Sequence, residues 1–228
     1  MKIGMLHATP LAQAPAARAC REILPDAEQW HLLDERLLPD LKEDGALTPR
    51  LRRRFLRLLD VLLDGGADGV LVTCSSYSEL ADVAERYWDA PVVKPDAEMF
   101  RAVALSEPPA LALVASTSTA FAPAEAQLAA RPGTARTVIH RVLIDPAAGE
   151  SGEVLAQAMH APVTAALDQG STAVVLAQYS LGAAATPLSN RLGVPVHEGA
   201  GAAAEELRRR LGHVVPTEPP MTRTAKEA

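Results

Sequence analysis

Aromatic residues are scarce, at 4% of the 228 residues, although hydrophobic residues make up 48%. A core of this composition is built from Ala, Val and Leu, and the chain is long enough for one large or two small α/β domains. Cysteine is rarer still, since only Cys20 and Cys74 are present. Two cysteines exclude a disulfide framework, and the simplest expectation is a cytoplasmic protein in a reducing compartment.

Long runs of a single kind of residue are also missing. No apolar stretch approaches the ~18 residues that span a bilayer, and the first ten residues hold too short an apolar run for a signal peptide. The net charge is −6 and there is no long basic run, so we expect no nucleic-acid partner and no membrane partner. The histidines are scattered without metal-ligand spacing, so we expect no metal site.

The stretch GVLVTCSSYSE, residues 69–79, carries the clearest chemical signal. Gly69–Thr73 is an apolar, β-branched run that predicts a buried strand. Ser76 and Glu79 have the spacing of a capping box, which predicts a helix N-terminus directly after Cys74. Such a terminus lowers a thiol pKa, and ligands of α/β sheets bind at the carboxyl ends of strands. We therefore predict that Cys74 is reactive; the alternative is an inert buried cysteine.

Strands and helices alternate along the whole chain, which predicts a parallel α/β architecture. Leu37–Leu47, with a Pro and a Gly, is expected to be irregular, while Thr48 and Ser151 are expected to cap helices. The predicted strands are residues 2–7, 27–33, 69–73, 91–93, 111–115, 137–144, 173–177 and 195–197. The predicted helices are residues 15–24, 49–65, 96–105, 123–130, 151–168 and 183–192, with two more ending near 87 and 211.

The sequence also repeats itself. A shift of 104 residues places Val70–Thr73 on Val174–Ala177 and Pro91-Val92 on Pro195-Val196. Two such halves usually face each other across a shared cleft. Under the same shift Cys74 falls on Gln178.

Four motifs occur in the order found in one known family. They are Val72-Thr73-Cys74-Ser75-Ser76, Ala90-Pro91-Val92-Val93, Ala115-Ser116-x-x-Thr119, and Leu176-Ala177-Gln178-Tyr179-Ser180-Leu181. With the repeat, they make residues 2–211 resemble the aspartate/glutamate racemase superfamily. That group includes glutamate, aspartate and hydantoin racemases, maleate isomerase and arylmalonate decarboxylase.

The resemblance implies two similar domains, each a parallel sheet flanked by helices, related by a pseudo-twofold internal duplication with the active site between them. We expect residues 1–95 with 199–212 to form the first domain, 96–198 the second, and 213–228 a disordered tail. The resemblance further implies chemistry without a cofactor. One cysteine removes a proton beside a carboxylate, and a second cysteine on the opposite face returns one. A homodimer is compatible with this family.

This chain departs from the family at the second cysteine, where Gln178 is neither a useful acid nor a useful base. Tyr179 is a poor base at neutral pH because its reference pKa is ~10. The expected function is nevertheless a racemase/isomerase-type enzyme acting on a small carboxylate through Cys74. The alternatives are a one-thiol decarboxylase or cis-trans isomerase, and a catalytically silent protein that binds a small acid. The expected substrate-binding residues are Thr9, Ser75, Ser76, Ser116, Thr119, Gln178, Tyr179 and Ser180.

One further stretch imitates a dinucleotide-binding fingerprint. Gly199–Ala204 follows a short strand and opens a helix, but no strand or acidic residue follows at the required distance. Two explanations remain open for its small residues. They allow close packing of the helix, or the helix N-terminus meets a substrate carboxylate.

Overall fold

The computed structural model describes residues 1–145 and 151–212, and the predicted alternation of strands and helices is confirmed there. The strands are β1 (Lys2–His7), β2 (Glu28–Leu33), β3 (Gly69–Val72), β4 (Val92–Val93), β5 (Ala110–Ala115), β6 (Val138–Leu143), β7 (Ala173–Leu176) and β8 (Val196–His197). The helices are α1 (Gln13–Ile23), α2 (Leu37–Asp44), α3 (Pro49–Asp64), α4 (Glu79–Ala84), α5 (Ala97–Ser106), α6 (Phe121–Ala129), α7 (Gly152–Asp168), α8 (Ala185–Leu192) and α9 (Gly199–Leu211). The expected disordered tail, residues 213–228, lies outside the described residues.

The strands form two parallel sheets of four strands, in the orders β2-β1-β3-β4 and β6-β5-β7-β8. The register repeats as well as the order, because Val70 pairs with Val92 just as Val174 pairs with Val196. The predicted α/β fold with two similar, duplicated domains is therefore confirmed. In each half the carboxyl ends of the central strands meet at one edge of the sheet, where ligands of such folds bind.

Each sheet is covered by helices on both faces. In the first sheet one face packs on α2, α3 and α4, and the other on α1 and α9. In the second sheet one face packs on α7 and α8, and the other on α5 and α6. The central strands β3, β5 and β7 are buried along their whole length, as strands covered on both faces must be. None of the helices in the described ranges is long and apolar enough to cross a membrane.

The two predicted helix caps are confirmed. The Thr48 hydroxyl accepts a hydrogen bond from the Leu51 amide at 3.5 Å, and the Ser151 hydroxyl accepts one from the Val154 amide at 3.3 Å. These bonds satisfy amides that the first turns of α3 and α7 leave without a helical partner.

The prediction that residues 37–47 are irregular is wrong, because α2 occupies most of them. Pro39 is tolerated because it lies in the first turn, where its missing N–H has no helical partner to lose. Gly45 ends the helix in the left-handed conformation, at φ 68°. Asp40 holds the helix in place, since its buried carboxylate pairs with Arg50 at 3.2 Å and with Arg54 at 3.1 Å.

The C-terminal helix α9 returns to the first sheet after the second is complete. Its inward residues Ala200, Ala203 and Leu207 share a core with β1, β3 and α1. A Cβ atom on Gly199 would lie 2.6 Å from the Pro95 carbonyl oxygen, so only glycine allows this approach. The close-packing explanation of the small residues is therefore confirmed. On this packing we propose residues 1–95 with 199–212, and 96–198, as the two domains.

Candidate functional site

Cys74 lies two residues after the end of β3, at the carboxyl edge of the first sheet. Its backbone is extended, and a single 3-10 turn, Ser75–Tyr77, separates it from the short helix α4. The side chain is 9% exposed, so the thiol lies at the base of the turn rather than on the surface.

The capping box expected after Cys74 is not formed. The residue that precedes α4 is Ser78, which makes no side-chain cap, and α4 has only six residues. The reason is the 3-10 turn, which uses Ser76 before the α-helix begins. Ser76 favours the Cys74 thiolate through its amide and its hydroxyl instead.

The expectation of a lowered thiol pKa is also wrong. Burial raises the pKa of Cys74 to about 11, and the donors of Ser76 and the Tyr77 amide offset this only in part. The charge of Asp96 raises the pKa further. The resting thiol is therefore neutral, and it can donate a proton more readily than it can accept one.

Asp96 is a residue of the site that sequence reasoning missed. It lies in the connection from β4 to α5, is 4% exposed, and accepts a hydrogen bond from the Ser75 hydroxyl. Burial raises the pKa of Asp96 to about 6, the Ser75 bond lowers it, and the charge of Glu198 raises it. The sequence offered only a weak signal, an acidic residue at the start of the helix predicted over residues 96–105.

Glu198 occupies the N-terminus of α9. Its carboxylate oxygens accept hydrogen bonds from the amides of Ala200 and Gly201, each at 2.6 Å. Burial raises the pKa of Glu198, while these two amides and Arg18 lower it. The second explanation of the Gly199–Ala204 stretch is therefore wrong, because a side chain of the protein already fills this helix terminus.

The matching turn after β7 is bonded to the loop after β5. The Gln178 side-chain oxygen accepts hydrogen bonds from the Ser116 amide at 2.7 Å and from the Ser116 hydroxyl at 2.9 Å. Ser116 therefore offers neither of these hydrogens to a ligand while Gln178 holds this position. Ser180 is half-buried in the 3-10 turn that follows.

Tyr179, in the turn after β7, approaches the start of α9 and Asp96. It is buried, its hydroxyl donates to the Gly199 carbonyl oxygen at 3.4 Å, and burial raises its pKa well above the ordinary value. A Cβ atom on Gly199 would lie 2.8 Å from an Asp96 carboxylate oxygen and 2.9 Å from the Tyr179 ring. The structure therefore brings Ser75, Asp96 and Tyr179 together beside Cys74.

The remaining predicted residues lie on the loops after β1, β3 and β5. Thr9 is half-buried and caps its own 3-10 turn, accepting from the Leu11 amide at 3.4 Å. That turn packs against the turn that begins at Tyr179. Ser76 is exposed, and Thr119 lies in the 3-10 turn Ser118–Ala120.

His7 is a second residue that sequence reasoning missed, although it is the last residue of β1. It is fully buried, and its Nδ1 lies 2.9 Å from the Thr73 hydroxyl oxygen. Because that hydroxyl donates to the Leu6 carbonyl oxygen, it accepts from His7, and the His7 Nε2 accepts from His31 at 2.9 Å. Burial, with the neighbouring His31, lowers the pKa of His7 to about 4. A neutral His7 thus fixes Thr73, the residue before Cys74.

Solved structures share this fold at low sequence identity. Allantoin racemase from Klebsiella pneumoniae gives a TM-score of 0.70 at 20% identity, covering 93% of this chain and 88% of that one. Aspartate racemase from Picrophilus torridus gives 0.65 at 13%, covering 92% and 94%. A glycine-to-cysteine mutant of arylmalonate decarboxylase, in a sulfate ion associated form, gives 0.60 at 20%, covering 94% and 95%.

Sequence comparison carries the assignment further. No curated protein sequence matches the chain. A profile of the Asp/Glu/Hydantoin racemase family, however, matches residues 14–207. Because that match covers most of the chain, and the motifs around Cys74 and Gln178 fall inside it, this protein belongs to the Asp/Glu/Hydantoin racemase family.

Proposed function

We propose that this protein is a racemase/isomerase-type enzyme that works without a cofactor at the carbon beside a small carboxylate, through Cys74. The observation that carries the proposal is the position of the thiol. Cys74 lies two residues after β3, at the edge of the sheet where α/β folds bind ligands, and Ser75 and Ser76 next to it carry hydroxyl donors. Family membership supports the class of reaction.

The protonation state of the Cys74 thiol decides whether it can act first as a base or as an acid. Ionising a thiol of pKa about 11 at pH 7 costs about 5 kcal/mol, which a base catalyst must recover from bound substrate. A neutral thiol needs no such step to act as an acid. Cys74 is therefore prepared to deliver a proton to a carbanion or enolate formed next to a carboxylate.

One thiol serves one face of the reacting carbon. The position equivalent to Cys74 holds Gln178, whose oxygen is bonded to Ser116 and which cannot exchange a proton near neutral pH. Inversion of a stereocentre therefore requires a second acid or base in addition to Cys74.

Decarboxylation is the second candidate function, and the neutral thiol favours it. In this reaction the bond between the α-carbon and a carboxylate breaks, carbon dioxide leaves, and the electron pair stays on the remaining enolate. Cys74 then gives its proton to the α-carbon, and the thiolate regains one from water. Cis-trans isomerisation is also open to a single thiol, by addition to a double bond, rotation and elimination.

The proposed function also suggests what the protein binds and where it is found. We propose a small-molecule carboxylate as substrate and no nucleic acid or membrane as partner. We also propose a cytoplasmic location, which is supported by two cysteines that are both free thiols.

The experiment that tests the proposal follows deuterium entering the α-position of candidate amino acids, hydroxy acids and malonates in heavy water, by proton NMR. The wild type and Cys20→Ala are expected to exchange at similar rates, whereas Cys74→Ala loses about 1000-fold. Cys20 is the matched control because it is the second free, buried cysteine. Full activity of Cys74→Ala contradicts the proposal.

The same experiment separates the candidate reactions. Release of carbon dioxide with a single product enantiomer supports the decarboxylase. Stereoinversion without carbon dioxide supports the racemase and requires a second acid or base. Saturable binding of a carboxylate without any exchange supports the catalytically silent binding protein.

A further inference from the structure

The Ser75 hydroxyl lies between the candidate catalytic thiol and a buried carboxyl. Ser75 follows Cys74 directly and is half-buried, and its hydroxyl oxygen contacts an Asp96 carboxylate oxygen. A serine hydroxyl has one hydrogen to donate, and an ionised carboxylate can only accept. While Asp96 is ionised, Ser75 must therefore donate to it, and no hydrogen remains for a ligand.

Among residues 1–145 and 151–212, Asp96 has no cation as its partner, which distinguishes it from most buried aspartates. The groups that face it are Ser75 and Cys74 after β3, Glu198 before α9, and Tyr179 after β7. On its own connection, Lys94 pairs with Asp82 at 2.6 Å. The charged side chains of α5, α6 and α9, the helices at and around Asp96, form ion pairs of their own: Glu98–Arg101, Glu125–Arg141, Glu205–Arg208, and Glu206 with Arg209 and Arg210.

Arg131, which follows α6 and reaches the start of α5, is also engaged. Arg131 donates to the carbonyl oxygen of Ala97, at 3.3 Å, and lies over the Phe100 ring. It therefore bonds to backbone and to a ring rather than to the Asp96 carboxylate.

We propose that Asp96 is a positioning residue that decides, by its own protonation, whether Ser75 binds the substrate carboxylate. Protonated Asp96 donates its hydrogen to the Ser75 oxygen, and Ser75 then donates its hydrogen to the carboxylate beside Cys74. When Asp96 is ionised, it accepts the hydrogen bond from Ser75, and the substrate carboxylate loses this donor. The proposal rests on the proposed function, because it assumes that the carboxylate binds next to the Cys74 thiol.

The proposal couples ligand binding to proton uptake. The Asp96 pKa of about 6 means that the carboxyl is mostly ionised at neutral pH in the empty site. Carboxylate binding then takes up one proton, and its affinity falls about tenfold for each pH unit above that pKa. Glu198 contributes to this pH dependence, because its charge raises the pKa of Asp96.

Alkylation of Cys74 tests this without knowledge of the natural substrate. Iodoacetate carries a carboxylate beside the carbon that the sulfur attacks, and iodoacetamide is its neutral counterpart. In both cases the sulfur–carbon bond forms as iodide leaves. In a Cys20→Ala background only Cys74 is labelled, and the ratio of the two rates cancels the ionisation of the thiol itself.

In the wild-type site the ratio of iodoacetate to iodoacetamide rates is expected to fall about tenfold per unit from pH 6.5 to 8.5. Asp96→Asn keeps a permanent N–H donor toward Ser75, so its ratio stays at the low-pH value throughout. Ser75→Ala lacks the donor, so its ratio is low at every pH. Glu198→Gln moves the midpoint of the fall to lower pH.

Failure of the inference about Asp96 can be told apart from failure of the proposed function. A ratio that does not change with pH in the wild type, or that falls equally in Asp96→Asn, overturns the inference and leaves the proposed function standing. A Cys74 that neither reagent alkylates up to pH 9 overturns both, because such a thiol is not accessible to any carboxylate substrate. Ser75→Ala keeps the test decisive if Asp96→Asn does not fold.

Discussion

The turns after β3 and β7 occupy equivalent places in the two halves of the molecule, yet their polar contacts differ. At the first, Cys74 carries a buried, neutral thiol beside a serine that is bonded to Asp96. At the second, Gln178 accepts both hydrogens of Ser116, which lies in the loop after β5, so these two loops satisfy each other's polar groups. The duplicated strands keep their register, so the difference in chemistry arises from side chains at the turns.

The strands beside β3 and β7 in the two sheets, β1 and β5, also differ where they end. His7 pairs with Leu33 at the end of β1, and the equivalent position in β5, which pairs with Leu143, is Ala115. The first half therefore buries a hydrogen-bonded histidine under its turn, whereas the second half buries only a methyl group. Burying this polar side chain costs free energy that its hydrogen bonds to Thr73 and His31 offset.

The largest expected effect comes from making the two turns alike. Gln178→Cys places a thiol at the second turn and frees the Ser116 hydrogens. We expect stereoinversion of a chiral 2-substituted carboxylate substrate to rise about 1000-fold, because a thiol acid–base group is supplied on the second side. Chiral chromatography measures this, with Gln178→Ser as the control that frees Ser116 without adding a thiol. Equal inversion rates in the two variants would falsify the claim that only the missing thiol prevents inversion.

The next largest effect concerns Asp96, which accepts a hydrogen bond from Ser75 of the first turn and faces Tyr179 of the second. Its pKa is raised from 3.8 to about 6, so the folded state binds a proton more tightly than the unfolded state. Stability from this carboxyl is therefore lost as the pH rises from about 4 to 6, and the loss is about 3 kcal/mol at pH 7. Asp96→Asn is expected to raise the free energy of unfolding at pH 7 by about this amount, with a smaller gain at pH 4, measured by urea unfolding.

Asp40 supplies the matched control, because Asp40 and Asp96 are both 4% exposed. Burial raises the pKa of Asp40, but hydrogen bonds and charges from Arg50 and Arg36 outweigh this and lower it overall. Asp40→Asn is therefore expected to destabilise the protein at pH 7. Destabilisation by Asp96→Asn as well would contradict the argument that Asp96 lacks a compensating partner.

His7→Ala makes the end of β1 resemble the end of β5. The substitution leaves a cavity, removes the bond to Thr73 and leaves His31 without its acceptor, so we expect a loss of about 2 kcal/mol in the free energy of unfolding. His140→Ala in β6 is the control, because His140 is half-buried and bonded to Ser171, and we expect a loss of about 1 kcal/mol. Urea unfolding at pH 7 measures both. Equal losses would show that burial of His7 adds nothing.

The smallest expected effect comes from opening the second turn without supplying a new acid or base. Gln178→Ala releases the Ser116 amide and hydroxyl, which are expected to bind a carboxylate. Gaining such a donor contributes about 0.5–1.5 kcal/mol, so the iodoacetate-to-iodoacetamide ratio at Cys74 should rise about threefold to tenfold at pH 6. Gln178→Glu keeps the acceptor and adds a negative charge, and its ratio should fall. An unchanged ratio in Gln178→Ala excludes Ser116 from the carboxylate site.

The features predicted correctly from sequence depend on local patterns. Thr48 and Ser151 cap their own helices within three residues, and the repeat is visible because β-branched strands recur at a fixed spacing. The features that were missed depend on distant partners. Helix α2 is held by Asp40 through Arg50 and Arg54, and Asp96 meets Ser75 across 21 residues.

The thiol itself illustrates both cases. Its place at the end of β3 follows from a local apolar run, but its pKa depends on how much of the fold closes over it. The capping-box spacing of Ser76 and Glu79 favours an α-helix directly after Cys74, and the 3-10 turn that forms instead takes Ser76 out of that helix. The roles assigned to Cys74 and to the hydroxyls around it stay predictions.

The contact between Gly199 and Pro95 has a mechanical consequence. The chain crosses between the two halves twice, before α5 and before α9, and these crossings touch each other. Two adjacent crossings define one axis, so a rotation of one half against the other displaces atoms in proportion to their distance from it. Asp96 directly follows Pro95 at the first crossing, so such a rotation would displace it little, whereas the 3-10 turn at Pro10–Ala12 lies in the loop after β1. An opening large enough to admit a substrate can therefore leave the Ser75–Asp96 bond intact.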